Sequence, residues 1–281
     1  MNGLDRWGVE DKRLIEFENV DAWNGEYRLI QCKRALSPSR LPEMDYALNP
    51  YTGCEHGCVY CYAPEVTHSD IAAWRVVGVK TNIVDRIVKE LPGLSGTIGI
   101  GTVTDPYQAA EARFMLTKGC LEHLVGKGFP IHLHTKSDLV LRDIDLLKRF
   151  EGQVAVTMTT CDDRISRITE PGAPLPEARF KALKELTDAG INTYALIAPV
   201  LDRLEGLEEE FCDMVAATGV KRAALDPLNL RPLMAKRLDR MDIGRSDTAL
   251  EKVRSLLIKR GIEVRDVFPR TFGTSFRNGP R

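Results

Sequence analysis

Asn49-Pro50-Tyr51-Thr52-Gly53-Cys54-Glu55-His56-Gly57-Cys58-Val59-Tyr60-Cys61-Tyr62 sets three thiols in the pattern C-x3-C-x2-C, with glycines beside two of them. Such spacing lets the chain fold back until all three sulfurs point at one centre, so the stretch reads as a metal loop. A structural zinc takes four protein ligands in a closed tetrahedron, and its usual pattern supplies a second ligand pair well downstream. No such pair follows here. A cubane iron–sulfur cluster has four irons, so three cysteines leave one iron without a protein ligand and open to a small molecule. Two other readings compete: zinc held by the three cysteines with His56, and three unrelated buried thiols. Both leave the surrounding glycines and tyrosines without a role.

Working outward, Tyr46-Ala47-Leu48 ends a strand that delivers the loop. After it, Ile83, Ile87, Val88 and Leu91 recur at helical spacing over 82–91, and Pro92-Gly93 stops that helix. Strands are then predicted at 97–104, 131–135, 154–159, 192–197 and 222–225, with helices over 110–127, 138–150, 177–189 and 207–217 between them. A further helix over 248–259 and a short strand at 262–264 follow. This β-then-α repetition argues for a parallel sheet with helical crossovers, and right-handed crossovers can roll it into a barrel.

The strand ends are more specific. Side chains alternate faces along a strand, so His132, His134 and Lys136 share one face while Ile131 and Leu133 take the other. Ala155, Thr157 and Thr159 fall opposite Val154, Val156 and Met158, and Thr102 and Thr104 are likewise in phase. One face of the sheet therefore turns polar towards its carboxyl edge, which is where barrels bind ligands.

A chain of 281 residues fits one large domain or two small ones, and a net charge of −1 gives no overall attraction to polyanions. The apolar runs are too short to cross a bilayer, and the charged start (Asp5, Arg6, Glu10, Asp11, Lys12, Arg13) lacks a signal-peptide core. Seven cysteines form no evident pairing framework. The sequence thus predicts a cytoplasmic protein with no membrane partner.

With Tyr60 just before the third cysteine, the loop resembles that of the radical S-adenosylmethionine (SAM) superfamily. Gly101-Thr102-Val103-Thr104-Asp105-Pro106-Tyr107-Gln108, Thr135-Lys136-Ser137, Leu141-Arg142-Asp143-Ile144-Asp145-Leu146-Leu147, Thr169-Glu170-Pro171 and Leu196-Ile197-Ala198-Pro199-Val200 narrow it to the spore photoproduct lyase-like group, often labelled "DNA repair photolyases". The similarity runs from about Tyr46 to Val200. It implies an α/β fold, a partial (β/α)6 TIM-type barrel over 46–232, with extensions at 1–45 and 233–281. It also implies a [4Fe-4S] cluster on Cys54, Cys58 and Cys61, with SAM chelating the open iron and being cleaved to a radical that takes a hydrogen atom from the substrate. Thr104 then lies where the family binds the SAM amino group, Lys136 where a basic residue meets its carboxylate, Thr157 where a hydroxyl contacts cofactor, and Ala198 beside the adenine. A reductant such as flavodoxin or ferredoxin is the implied partner.

In the lyase a cysteine and a tyrosine pair return the hydrogen atom. Tyr60 and Tyr62 flank Cys61 as that pair does, but the donor cysteine's position is Val103 here, which cannot donate. Cys161, just beyond a strand, is the substitute candidate. Asp105, with Tyr107, Gln108 and Glu111, either faces substrate or holds the loop, and Asp226, Asn229 and Arg231 are further candidates on the substrate side. Arg231, Lys236, Arg237 and Arg240, with Arg265, Arg270, Arg277 and Arg281, make the C-terminal portion locally basic, as phosphate contacts require, although Asp239, Asp242 and Asp247 interleave. A nucleic-acid base is therefore one candidate substrate, a protein side chain or small metabolite another. A non-catalytic cluster or zinc protein is the alternative of a different class.

Overall fold

The computed structural model describes residues 22–23 and 27–268. Twelve strands are found in them, β1 (Ala22–Trp23), β2 (Arg28–Ile30), β3 (Leu36–Pro38), β4 (Tyr46–Leu48), β5 (Tyr51–Thr52), β6 (Gly78–Lys80), β7 (Ile98–Ile100), β8 (Ile131–Thr135), β9 (Gly152–Thr157), β10 (Thr193–Val200), β11 (Arg222–Pro227) and β12 (Glu263–Asp266). They form an eight-stranded sheet in the order β12-β11-β10-β9-β8-β7-β4-β3 and a four-stranded one in the order β1-β2-β6-β5.

From β4 to β12 every pair in the large sheet is parallel; only the β3–β4 hairpin is antiparallel. The sheet curls, because Glu43, just ahead of β4, meets Arg265 of β12 at 3.6 Å. Strands from opposite ends of the order thus approach each other, as in a partial barrel.

The two faces differ as the alternation requires. Ile98, Ile100, Ile131, Leu133, Val154 and Val156 join one large apolar cluster with the helices outside. Inside, Ala155, Tyr194 and Ala224 form a small cluster of their own. Beside it the inward face carries polar groups: His134 Nε2 lies 2.7 Å from the Tyr194 hydroxyl, Gln153 Nε2 lies 3.3 Å from His132, and Arg222 donates to Gln153 Oε1 at 3.2 Å. Burial pulls the His134 pKa down to about 4, so the imidazole is neutral at physiological pH.

Several boundaries depart from expectation for local reasons. The strand expected over 97–104 ends at Ile100, since Gly101 turns the chain at φ +86° where a Cβ would stand 2.2 Å from the His134 carbonyl. The single helix expected over 110–127 is two, Ala109–Phe114 and Leu116–Leu124, broken at Met115, which is left-handed at φ 51°. The expected helix over 138–150 is a 3-10 turn, Asp138–Asp143, running into Ile144–Leu147. The helices Asp163–Thr169 and Pro232–Asp239 and the small sheet's β6 had no counterpart in the sequence reading.

Of the proposed extensions, 1–21 and 24–26 lie outside the described residues, as do 269–281 with Arg270, Arg277 and Arg281. Within them, β3 and β12 extend the same sheet as the central strands. Among the described residues no helix is long and apolar enough to cross a membrane.

Candidate cluster and cofactor site

The cysteine loop leaves β5 at the carboxyl edge of the barrel strands and is fastened on every side. Gly53 takes φ +76°, and a Cβ there would stand 2.5 Å from the Trp74 carbonyl, so only glycine admits the turn into Cys54. The Cys54 N–H in turn donates to Trp74 O at 3.1 Å. Gln108 ties the loop to the end of β7: its amide oxygen accepts the Glu55 N–H at 2.9 Å and its NH2 donates to the Thr104 hydroxyl at 2.9 Å. Glu55 reaches back, accepting the Ala110 N–H at 2.8 Å and the Tyr27 hydroxyl at 2.9 Å.

Asp105 is the hub of this edge. Its Oδ1 accepts Tyr107 N–H at 2.9 Å and the Thr135 hydroxyl at 2.7 Å; its Oδ2 accepts the Lys136 backbone N–H at 2.7 Å and stands 3.5 Å from His56 Nδ1. The carboxylate therefore holds β7, β8 and the cysteine loop together. Tyr107 and Glu111 also point into the scaffold: Tyr107 donates to Asp143 at 3.1 Å, and Glu111 accepts from Tyr51 at 2.5 Å and Arg142 at 2.7 Å.

Cys54, Cys58 and Cys61 carry free, half-buried thiols. Burial first, and Asp105 second, pushes the Cys54 thiol up to about 12, and burial raises Cys58 and Cys61 as well. Such thiols stay protonated unless a cation takes the place of the proton, which is the pH-linked behaviour of a metal site. Among the described residues no three His, Cys, Asp or Glu side chains converge as one ion requires. His56, the fourth zinc ligand of the alternative reading, is turned to Asp105 instead, and burial lowers its pKa despite that carboxylate. Three thiols on one short loop are the donor set that a cluster with one open iron takes.

Facing the loop, Lys136, Thr157, Ala198 and Asp226 continue the inward phase of β8, β9, β10 and β11 at their carboxyl ends. The Lys136 ammonium stands 5.7 Å from the centroid of the Tyr60 ring. Burial pulls its pKa down, while the negative charge of Cys58, when it is a thiolate, and of Glu170 raises it. Thr157 is buried, and Ala198 is half-buried ahead of Pro199, where the β10–β11 register shifts. Thr104 is placed differently: its hydroxyl donates to the Gly53 carbonyl and binds loop to strand.

Tyr60 is buried and its hydroxyl donates to Glu170; Tyr62 is 38% exposed and donates to the Thr102 carbonyl. Cys161 is not brought to them. Its thiol packs against the outer apolar cluster near Glu210 of the helix Glu208–Ala217, and burial raises it to about 11. On the C-terminal side, Arg237 donates to the Val59 carbonyl at 3.0 Å and the Cys61 carbonyl at 2.9 Å, and Glu65 accepts the Met234 N–H at 2.7 Å. Leu201, Leu228, Met234, Leu238 and Ile243 seal this side against Tyr60 and Cys58. Of the basic patch, Arg237 is thus committed to the loop and Arg265 to Glu43, leaving Lys236 and Arg240 exposed and Arg231 over the Tyr62 ring at 5.9 Å.

The model of the radical SAM superfamily matches residues 48–215. The chain belongs to that superfamily. It is 35% identical over 184 residues to an uncharacterized protein of Methanocaldococcus jannaschii, covering 64% of this chain and 69% of that one. It is 32% identical over 249 residues to an uncharacterized protein of Mycobacterium tuberculosis, 82% of this chain and 72% of that. Among solved structures, spore photoproduct lyase in complex with a dinucleoside spore photoproduct superposes with a TM-score of 0.64 at 14% identity, over 84% of this chain and 80% of the lyase. A radical SAM methyltransferase from Sphaerobacter thermophilus gives 0.51 at 16% identity over 83% and 77%. The mixed α/β architecture with its parallel sheet is accordingly that of the radical SAM (β/α) barrel enzymes. The superfamily implies a [4Fe-4S] cluster, SAM and a reductant.

Gln108 was among the residues read as either facing substrate or holding the loop, and its bonds run to the loop. Glu170, Arg179 and Arg237 were not singled out as contacts of the loop: Glu170 stood inside a motif quoted for another reason, Arg237 was read only as part of the basic patch, and Arg179 lies on a helix distant in sequence and carried no signal.

Proposed function

We propose that this chain is a radical SAM enzyme that abstracts a hydrogen atom from a substrate seated at the barrel mouth. The observation that carries the reading is the set of three free thiols on one clamped loop, facing the cationic Lys136. Cys54, Cys58 and Cys61 would hold the cluster, which, with SAM bound, supplies one-electron cleavage of the sulfonium and a carbon-centred hydrogen-atom acceptor. Lys136 would meet the SAM carboxylate as a charge-assisted partner in a half-buried setting, Thr157 would offer a hydroxyl, and Ala198 would border the adenine. Thr104, already bonded to Gly53, would act on the SAM amino group through the loop it holds. The apolar seal around Tyr60 would exclude water from the loop's C-terminal flank.

For the substrate, a nucleic-acid base is favoured by what lies at the mouth. Tyr62 is an exposed ring with Arg231 above it, and Lys236 and Arg240 are free to meet phosphate. The outcome would differ from dimer repair by the lyase route, since Val103 offers only strong C–H bonds where a donor cysteine has a weak S–H. A flavodoxin- or ferredoxin-type protein would deliver the electron. The test is anaerobic: reconstitute with iron and sulfide, reduce, add SAM and assay 5′-deoxyadenosine by mass spectrometry. The wild type should form it and Cys58→Ala should not; zinc binding without cleavage would make the loop structural. Salt-dependent binding of single-stranded oligonucleotides, lost on neutralising Arg231, Lys236 and Arg240, tests the substrate class separately.

A further inference from the structure

The segment after the helix Asp163–Thr169 crosses the cysteine loop as a strap. The Thr169 carbonyl accepts the Val59 N–H at 2.9 Å, and the Gly172 N–H donates to the His56 carbonyl at 2.9 Å. A Cβ on Gly172 would stand 2.1 Å from the Glu55 carbonyl, so the two backbones meet as closely as glycine permits. Between these ties sits Glu170, 1% exposed, whose Oε1 accepts the Tyr60 hydroxyl. Its Oε2 lies 2.5 Å from Nη1 of Arg179, also 1% exposed, as a buried ion pair. Arg179 is anchored in turn by Nε donating to the Pro174 carbonyl at 2.7 Å.

A fully buried ion pair is a poor way to stabilise a fold, since desolvating both charges offsets most of their attraction. Its placement gives it a use. Glu170 holds the hydroxyl of the ring that Lys136 faces, and its charge acts on Lys136 as well; Arg179 and Lys136 in turn outweigh burial and keep the carboxyl ionised. The Glu170 carboxylate, paired with Arg179, therefore acts on Cys58 from behind the loop.

We propose that Glu170 is a positioning residue that fixes Tyr60 and Lys136 against the cysteine loop and sets the charge felt by an electron placed on the cluster. This rests on the reading that Cys54, Cys58 and Cys61 hold that cluster. One electron enters on reduction, with no bond made or broken, and a nearby carboxylate opposes it. Neutralising the carboxylate makes reduction easier.

The experiment is an EPR-monitored redox titration of the reconstituted protein, with iron per chain measured alongside. Glu170→Gln should shift the midpoint potential to a more positive value, and Glu170→Asp should return it towards wild type. A Glu170→Gln protein with full iron and the wild-type potential would overturn the electrostatic claim. Hydrogen exchange on the iron-free protein tests the positioning claim and needs no cluster: Glu170→Gln should speed exchange at Val59 and its loop neighbours, and wild-type protection there would overturn it. Failure of the wild type to bind iron would instead sink the cluster reading, leaving the exchange result to decide on Glu170.

Discussion

Asp105 Oδ2 accepts the backbone N–H of Lys136 at 2.7 Å, so the residue that turns the chain after β7 fixes where the β8 cation sits. The same carboxylate holds Thr135 and Tyr107. Replacing it by alanine leaves three buried donors without an acceptor. Asp105→Ala should cost about 2–4 kcal/mol of stability, read by urea denaturation of the iron-free protein, and should weaken SAM binding to the reconstituted one. Stability within error of wild type would show that the edge does not depend on this carboxylate.

Gly172→Ala places a methyl group where the Glu55 carbonyl already stands, and a backbone atom cannot swing aside as a flexible side chain can. The loop and strap must separate. Iron per chain after reconstitution should fall several-fold while far-UV circular dichroism stays native, because the barrel helices are untouched. Full iron loading in the variant would contradict the close approach.

Asp226 faces the mouth from β11 with Asn229 donating to it at 2.9 Å and 3.1 Å, and burial raises its pKa from 3.8 to about 7. Between about pH 4 and 7 the folded state holds a proton that the unfolded state has lost, so stability falls as pH rises through that window. Asp226→Asn carries no such titration. The two proteins should melt alike near pH 4, with the variant more stable by on the order of 2 kcal/mol at pH 8 once partial exposure is discounted. Parallel melting curves across that range would place the Asp226 pKa near its unfolded value.

Cys161 packs on the outer face, beside Glu210 and away from Tyr60 and Tyr62. Cys161→Ala should therefore leave 5′-deoxyadenosine formation and any deuterium return to substrate unchanged, measured by mass spectrometry in deuterated buffer. Loss of deuterium return with intact SAM cleavage would make Cys161 the donor after all.

The parallel sheet was legible because strand alternation and helical spacing are local signals. His132 and His134 against Ile131 and Leu133 gave the inward and outward faces that the structure has. The cysteine loop was legible because its three cysteines lie within eight residues of one another. What holds the loop was only partly so: Asp105 and Gln108 stood in a quoted motif with the loop as one of two roles, whereas Glu170 and Arg237 reach it from elements far apart in sequence, with Arg179 behind Glu170, and only the fold makes them neighbours. The helix break at Met115 escaped for a similar reason. Thr117 and Lys118 N–H groups donate to the buried Glu111 carboxylate at 2.9 Å and 3.1 Å, a partner that competes with helical continuation and that helical periodicity alone cannot reveal.

The central claim is that the three thiols leave one iron of the cluster open to SAM across from Lys136. The most direct measurement is the EPR spectrum of the reduced, reconstituted protein with and without SAM. The account predicts a [4Fe-4S] signal in the wild type whose line shape changes on SAM addition, a weaker change in Lys136→Met, and no such cluster in Cys58→Ala. A wild-type spectrum indifferent to SAM, at full iron loading, would contradict it.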